Sequence, residues 1–85
     1  MMSYKILILR RAQKELAQLP KQEYERIKEA VENLSNEPRP QSCKKLRGRE
    51  GWRIRVGNYR VIYEIDDTKQ ALTVLHIGHR RDVYK

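Results

Sequence analysis

Arg53 and Arg55 stand two apart, Arg60 follows at the next cluster, and Arg80 and Tyr84 stand four apart near the end of the chain, with His79 and Arg81 beside them. Arginine carries a permanent charge on a planar fork of donors, a shape suited to two-point contact with phosphate. RNA supplies its own nucleophile, the 2′-OH. A protein that cleaves it must hold that oxygen in line with phosphorus, offset the charge growing on the phosphate oxygens and assist two proton transfers. Positioning can remove up to about 7–11 kcal/mol of such a barrier. Fixed cations aimed at developing charge are often the largest single term, and acid–base help adds roughly 10²–10⁴-fold. Several arginines with a tyrosine therefore form a set that can cleave RNA without a metal. Tyr84, near Arg80, and His79 are the candidates for accepting a proton, and a tyrosine can also stack on a base.

Other chemistries lack their residues. There is no glycine-rich phosphate loop before a helix and no pair of carboxylates in a plausible cleft. His76 and His79 are three apart but straddle the end of a predicted strand, and a metal needs more ligands than these. Cys43 is the sole cysteine, so neither an intrachain disulfide nor a cysteine metal site can form. No metal and no cofactor are expected. The run Ile6-Leu7-Ile8-Leu9 is too short for a signal segment or a membrane span, which predicts a soluble cytoplasmic protein with no membrane partner.

Charge is concentrated where the arginines are. The net charge is +8, and residues 39–60 hold eight basic side chains (Arg39, Lys44, Lys45, Arg47, Arg49, Arg53, Arg55 and Arg60) against Glu50 alone. Like charges so close repel one another. A polyanion relieves that repulsion; nucleic acid is the first candidate and an acidic protein the second.

The element that must position this charge is a β-hairpin. Trp52-Arg53-Ile54-Arg55-Val56 alternates apolar and cationic residues, Gly57-Asn58 is a turn pair, and Tyr59-Arg60-Val61-Ile62-Tyr63 follows. Alternation sends Trp52, Ile54 and Val56 to one face and Arg53 and Arg55 to the other. In the partner strand Val61, Tyr63 and Ile65 share a face, and Arg60, Ile62 and Glu64 share the opposite one. Whether Arg60 lies beside Arg53 and Arg55 depends on the turn register, which the sequence leaves open.

The rest of the chain supplies a support. Residues 4–9 read as a strand, and their almost unbroken apolar run predicts burial on both faces, in the sheet centre or under helices. Ala12, Leu16 and Leu19 fall on one stripe of a short helix. Pro20 suits the first position of a second helix, whose stripe is Tyr24, Ile27, Val31 and Leu34. Pro38 and Pro40 end it. Residues 44–47 are either loop or a short strand. Asp66-Asp67-Thr68 reads as a turn, residues 71–77 as a last strand ended by Gly78, and His76 shares the parity of Leu72 and Val74, which predicts a partly buried structural histidine. The expectation is one α+β domain over residues 1–85: an N-terminal strand, an α-hairpin, then a three-stranded antiparallel meander, in one sheet with the helices on one face.

In order and spacing, the leucine-proline join between the helices, NEPRP, KKLRG, GWRIRVGNYRVIYEI and the closing IGHRRDVY together resemble the RelE/ParE superfamily of bacterial toxin–antitoxin toxins, in particular the RelE-like mRNA interferases. The resemblance implies a toxin that cuts mRNA in the ribosomal A site and is held silent by a cognate, RelB-like antitoxin. It places Arg53, Arg55, Arg60, Arg80 and Tyr84 in the catalytic set, and Arg47 at a further RNA-contacting position. Lys44, Lys45, Arg49, His79 and Arg81 are the neighbouring RNA-binding candidates. The best-known members carry lysines where this chain has Arg53 and Arg55. Arginine does not deprotonate, so the base role moves to Tyr84 or His79. The other readings are a ParE-like inhibitor of DNA gyrase on the same fold, and a non-catalytic basic RNA-binding domain.

Overall fold

A computed structural model describes residues 3–79 of the chain. The elements run β1 (Lys5–Ile8), α1 (Arg10–Ala17), α2 (Lys21–Asn33), β2 (Lys44–Lys45), β3 (Trp52–Val56), β4 (Tyr59–Asp66) and β5 (Ala71–His79). The strands form one sheet in the order β1-β5-β4-β3-β2, antiparallel except that β1 runs parallel to β5. The class is α+β, with the two helices on one face.

Periodicity explains the layers. Ala12 and Leu16 from α1, and Ile27, Val31 and Leu34 from α2 and its end, meet Ile54, Val61, Tyr63, Leu72, Val74 and Ile77 from the sheet in one buried cluster. Pro20 sits at the cap of α2, one place before its first residue, and its carbonyl accepts the Tyr24 N–H at 2.8 Å. Tyr63 is fully buried, and its hydroxyl donates to the Pro38 carbonyl at 2.8 Å. Burial pushes this phenol well above its ordinary range, so it remains a donor and ties the loop after α2 to the sheet. Arg39 lies over the Trp52 ring, 5.1 Å from its centroid, and grips Asp67 with both terminal nitrogens at 3.2 and 2.9 Å. The Tyr4 hydroxyl donates to the same carboxylate at 2.6 Å. This cluster fastens the chain start, the loop after α2 and the β4–β5 turn together.

Three expectations are corrected. First, β1 is an edge strand: Leu7 and Leu9 are each 47% exposed, and only Tyr4, Ile6 and Ile8 pack on the core. An aliphatic run cannot distinguish one covered face from two. Its outer edge is blunted, since Ser35 Oγ donates to the Tyr4 carbonyl at 2.7 Å and Gln13 Nε2 to the Ile8 carbonyl at 2.8 Å. Second, Gly78 does not end β5, which continues through His79. Third, β5 carries a bulge: Tyr63 pairs with Val74 but Ile62 pairs with His76, leaving Leu75 as the extra residue. Parity flips there. Leu72 and Val74 face the helices before the bulge, Ile77 faces them after it, and His76 joins the row of Ile62 at the strand edge.

Candidate nucleic-acid interface

The turn fixes what the sequence left open. Gly57 has φ 62°, while Asn58 is absent from the positive-φ residues, the pattern of a two-residue type II′ hairpin with glycine first. Val56 then pairs with Tyr59, Arg55 with Arg60, Ile54 with Val61 and Arg53 with Ile62. Lys44 of β2 pairs with Arg53. On the face away from the helices this builds two adjoining rows across the sheet. One is Lys44, Arg53, Ile62 and His76; the other is Arg55, Arg60 and Gly78. Opposed side chains in such a pair have Cβ atoms roughly 4.5–5.5 Å apart. Four cations thus share one end of one face. Arg53 and Arg60 are half-buried, Lys44 and Arg55 exposed. The Arg55 Nε donates to the Gly57 carbonyl at 3.2 Å, which draws that guanidinium toward the turn. Ile62 is only 5% exposed and lies outside the helix-side core, so the cations flank a small apolar island.

The other candidates fall elsewhere. Lys45 pairs with Trp52 and therefore takes the helix-side parity. Arg47 and Arg49 are exposed in the loop between β2 and β3. That loop closes through Gly51, with φ 128°, where an added Cβ would stand 2.9 Å from Leu46 Cδ1. His79 pairs with Tyr59, and the two rings meet edge to face at 5.7 Å on the helix-side parity. It is therefore on the other side of the sheet from Arg53, Arg55 and Arg60. Arg80, Arg81 and Tyr84 lie outside the described residues. Among the described residues no group of three or more histidine, cysteine or acidic side chains could hold a metal ion, and no helix is long and apolar enough to cross a membrane. A cleft of about 460 Å³ opens beside β3, between Asn33, Asn36 and Glu37 on one side and Ile54 and Val56 on the other. Arg55 is the one cation on its wall and Glu37 lines it too, which makes it a poor phosphate site.

Acidic residues collect at the opposite end of the same strands. Glu64, Asp66 and Asp67 approach or form the β4–β5 turn, whereas the cations lie toward the β3–β4 turn. A bound polyanion is therefore directed to one end of the face.

Comparison with known proteins gives the family. The family model described as ParE toxin of type II toxin-antitoxin system, parDE, matches residues 6–84. The chain belongs to this family. As a RelE/ParE-superfamily toxin of a toxin–antitoxin system, it is 31% identical to the RelE1 protein of Methanocaldococcus jannaschii, over 99% of this chain and 98% of that one. The RelE–RelB complex of Pyrococcus horikoshii contains a chain superposing with a TM-score of 0.84 at 32% identity, over 96% of this toxin and 100% of that chain. The isolated RelE toxin of E. coli superposes with a TM-score of 0.80 at 29% identity, over 96% and 92% respectively.

Sequence reasoning missed two contacts of Glu15. Its carboxylate reaches His76 and the Ile77 N–H from α1. Glu15 reads as one more polar residue on a solvated helix face, and a bulge has no signature in alternating Leu, Val and Ile.

Proposed function

We propose that this toxin is a ribosome-dependent endoribonuclease that cuts mRNA by attack of the 2′-OH on the adjacent phosphate. The observation that carries the reading is the direct opposition of Arg55 and Arg60, with Arg53 and Lys44 in the adjoining row. Like charges directly opposite across a sheet are destabilising. A bound phosphate turns that cost into attraction. In the reaction the bond from O2′ to phosphorus forms and the bond from phosphorus to O5′ breaks, with O5′ taking up a proton from solvent as it leaves. The arginines hold the phosphate in line and stabilise its oxygens and the leaving oxygen. None of them removes the proton from O2′. Tyr84 is the base in this reading, and the pairing of His79 with Tyr59 on the far side of the sheet weighs against the histidine.

The partners in this reading are mRNA within the ribosome and a cognate RelB-like antitoxin, and the place of action is the cytoplasm. Similarity to toxin chains solved as RelE–RelB complexes supports the antitoxin. The family model is described by its ParE members, which favours gyrase as a second target. The arginine array weighs against that target, because gyrase inhibition requires no phosphate-transfer set.

Translation in vitro followed by primer extension separates the readings. Cuts confined to translated codons are expected. Intact mRNA with trapped gyrase–DNA complexes would replace this reading with the gyrase one. Neither signal would leave a basic binding domain.

A further inference from the structure

Beyond Ile8, β5 loses its parallel neighbour: β1 pairs with it only from Ala71 to Val74, while β5 continues to His79. The carboxylate of Glu15 on α1 reaches this bare edge. Its Oε1 accepts the Ile77 N–H at 2.9 Å and lies 2.8 Å from His76 Nδ1, and its Oε2 lies 2.6 Å from the same nitrogen. Arg11, one turn earlier on α1, approaches Oε2 at 3.5 Å.

The two residues held are those that follow the bulged Leu75. Protecting an edge requires only that the free N–H find an acceptor. Here the same carboxylate also grips the preceding side chain, so both residues after the bulge are held by one group. The position of the bulge determines what lies beyond it: Gly78 opposite Arg60, and His79 opposite Tyr59. A bulge moved by one place would give Arg60 a different neighbour and would displace the strand end.

We infer that Glu15 and His76 are positioning residues for RNA cleavage, holding the bulge of β5 where Arg60 and the strand end meet the scissile phosphate. The inference rests on the nuclease reading above. Neither residue touches the reacting atoms; both act through the backbone of β5.

The test is single-turnover cleavage of mRNA on programmed ribosomes by the full-length toxin, with rate at saturation and half-saturating concentration measured separately. Hydrogen exchange at the Ile77 amide is followed in the same variants. Glu15→Ala and His76→Ala should slow cleavage at saturation by about 10–100-fold, the scale of a small misplacement of reacting groups. The half-saturating concentration should stay within about threefold. The double variant should be no slower than the worse single one, and Ile77 exchange should quicken in Glu15→Ala. Glu15→Gln, which keeps one carbonyl acceptor, should recover part of the rate and serves if the alanine variant does not fold. Gln13→Ala, which removes an edge contact of β1, should leave the rate unchanged. Normal rates in both Glu15 variants, or a loss expressed wholly in half-saturation, would overturn the inference while the nuclease reading stood. Failure of the unmodified toxin to cleave would overturn that reading itself, and this role with it.

Discussion

Arg55 and Arg60 oppose each other across a two-residue hairpin, and this predicts effects of opposite sign on stability and on activity. Arg55→Gln removes one of two facing charges, so the free toxin should gain up to about 1 kcal/mol at low salt, the range for a cross-strand pair. A higher urea midpoint at unchanged slope would register it, and the gain should fade as salt screens the repulsion. Arg60→Ala removes a half-buried cation from the centre of the array. If that guanidinium faces the developing charge, cleavage should fall by about 10²–10³-fold with the fold retained, the scale seen when one stabilising donor is lost. Full growth arrest by this variant at ordinary expression would remove Arg60 from the site. Lys44 and Lys45 are adjacent in sequence but differ in face. Lys44→Ala should weaken RNA binding and reduce its log–log salt slope by about 1, whereas Lys45→Ala should leave the slope nearly unchanged. Equal effects would mean that the RNA contacts the edge of β2 instead of one face of the sheet.

At the scale of elements, the hairpin was the legible part because its signals are local. Alternation from Trp52 to Tyr63 assigned the faces, and Gly57-Asn58 located the turn. The face opposition of Arg55 and Arg60 then required only the register, which the backbone of Gly57 supplies. That glycine has φ 62°, and an added Cβ there would approach the Arg26 guanidinium at 3.4 Å. Gly57→Ala should therefore cost about 1–2 kcal/mol, the penalty of a left-handed conformation for an L side chain, read as a lower urea midpoint. No loss would mean that the turn relaxes to another type and that the arginine register is not fixed there. What was not legible depends on distant segments. The pairing of β1 with β5 joins the two ends of the domain, and nothing in Ile6-Leu7-Ile8 says that one of its faces stays open. The bulge at Leu75 inserts a residue no different in type from its neighbours, so extrapolating parity from Leu72 and Val74 put His76 in the wrong row. His79 was drawn toward the arginines by sequence proximity, yet one step along a strand reverses the face.

For the molecule as a whole, the basic end of the sheet works against folding while the acidic end helps hold the chain together. Asp67 carries the second part of this balance: Arg39 and Tyr4 both reach it, from 28 and 63 positions away in sequence respectively. The Arg39 hydrogen bonds first, then that of Tyr4, hold its carboxyl below the usual range. The folded protein thus favours ionised Asp67, and the contribution is present above the ordinary aspartate pKa of about 3.9 and lost as pH falls through the lower folded value. Tyr4 behaves conversely. Its phenol is raised, chiefly by donating to Asp67, so its contribution is complete below about pH 10 and lost as pH rises further. Asp67 is exposed and Tyr4 half-buried, and salt should weaken the cluster while relieving repulsion among the arginines. These opposing responses can be separated by comparing urea midpoints of the wild type and Asp67→Asn. The difference between them should hold steady from about pH 5 to pH 9 and shrink below about pH 4; it should also narrow with added salt, even as both midpoints rise. A difference that persists unchanged to pH 3 would show that the charge on Asp67 contributes nothing; no difference at any pH would mean that packing of Arg39 on Trp52 holds the loop alone.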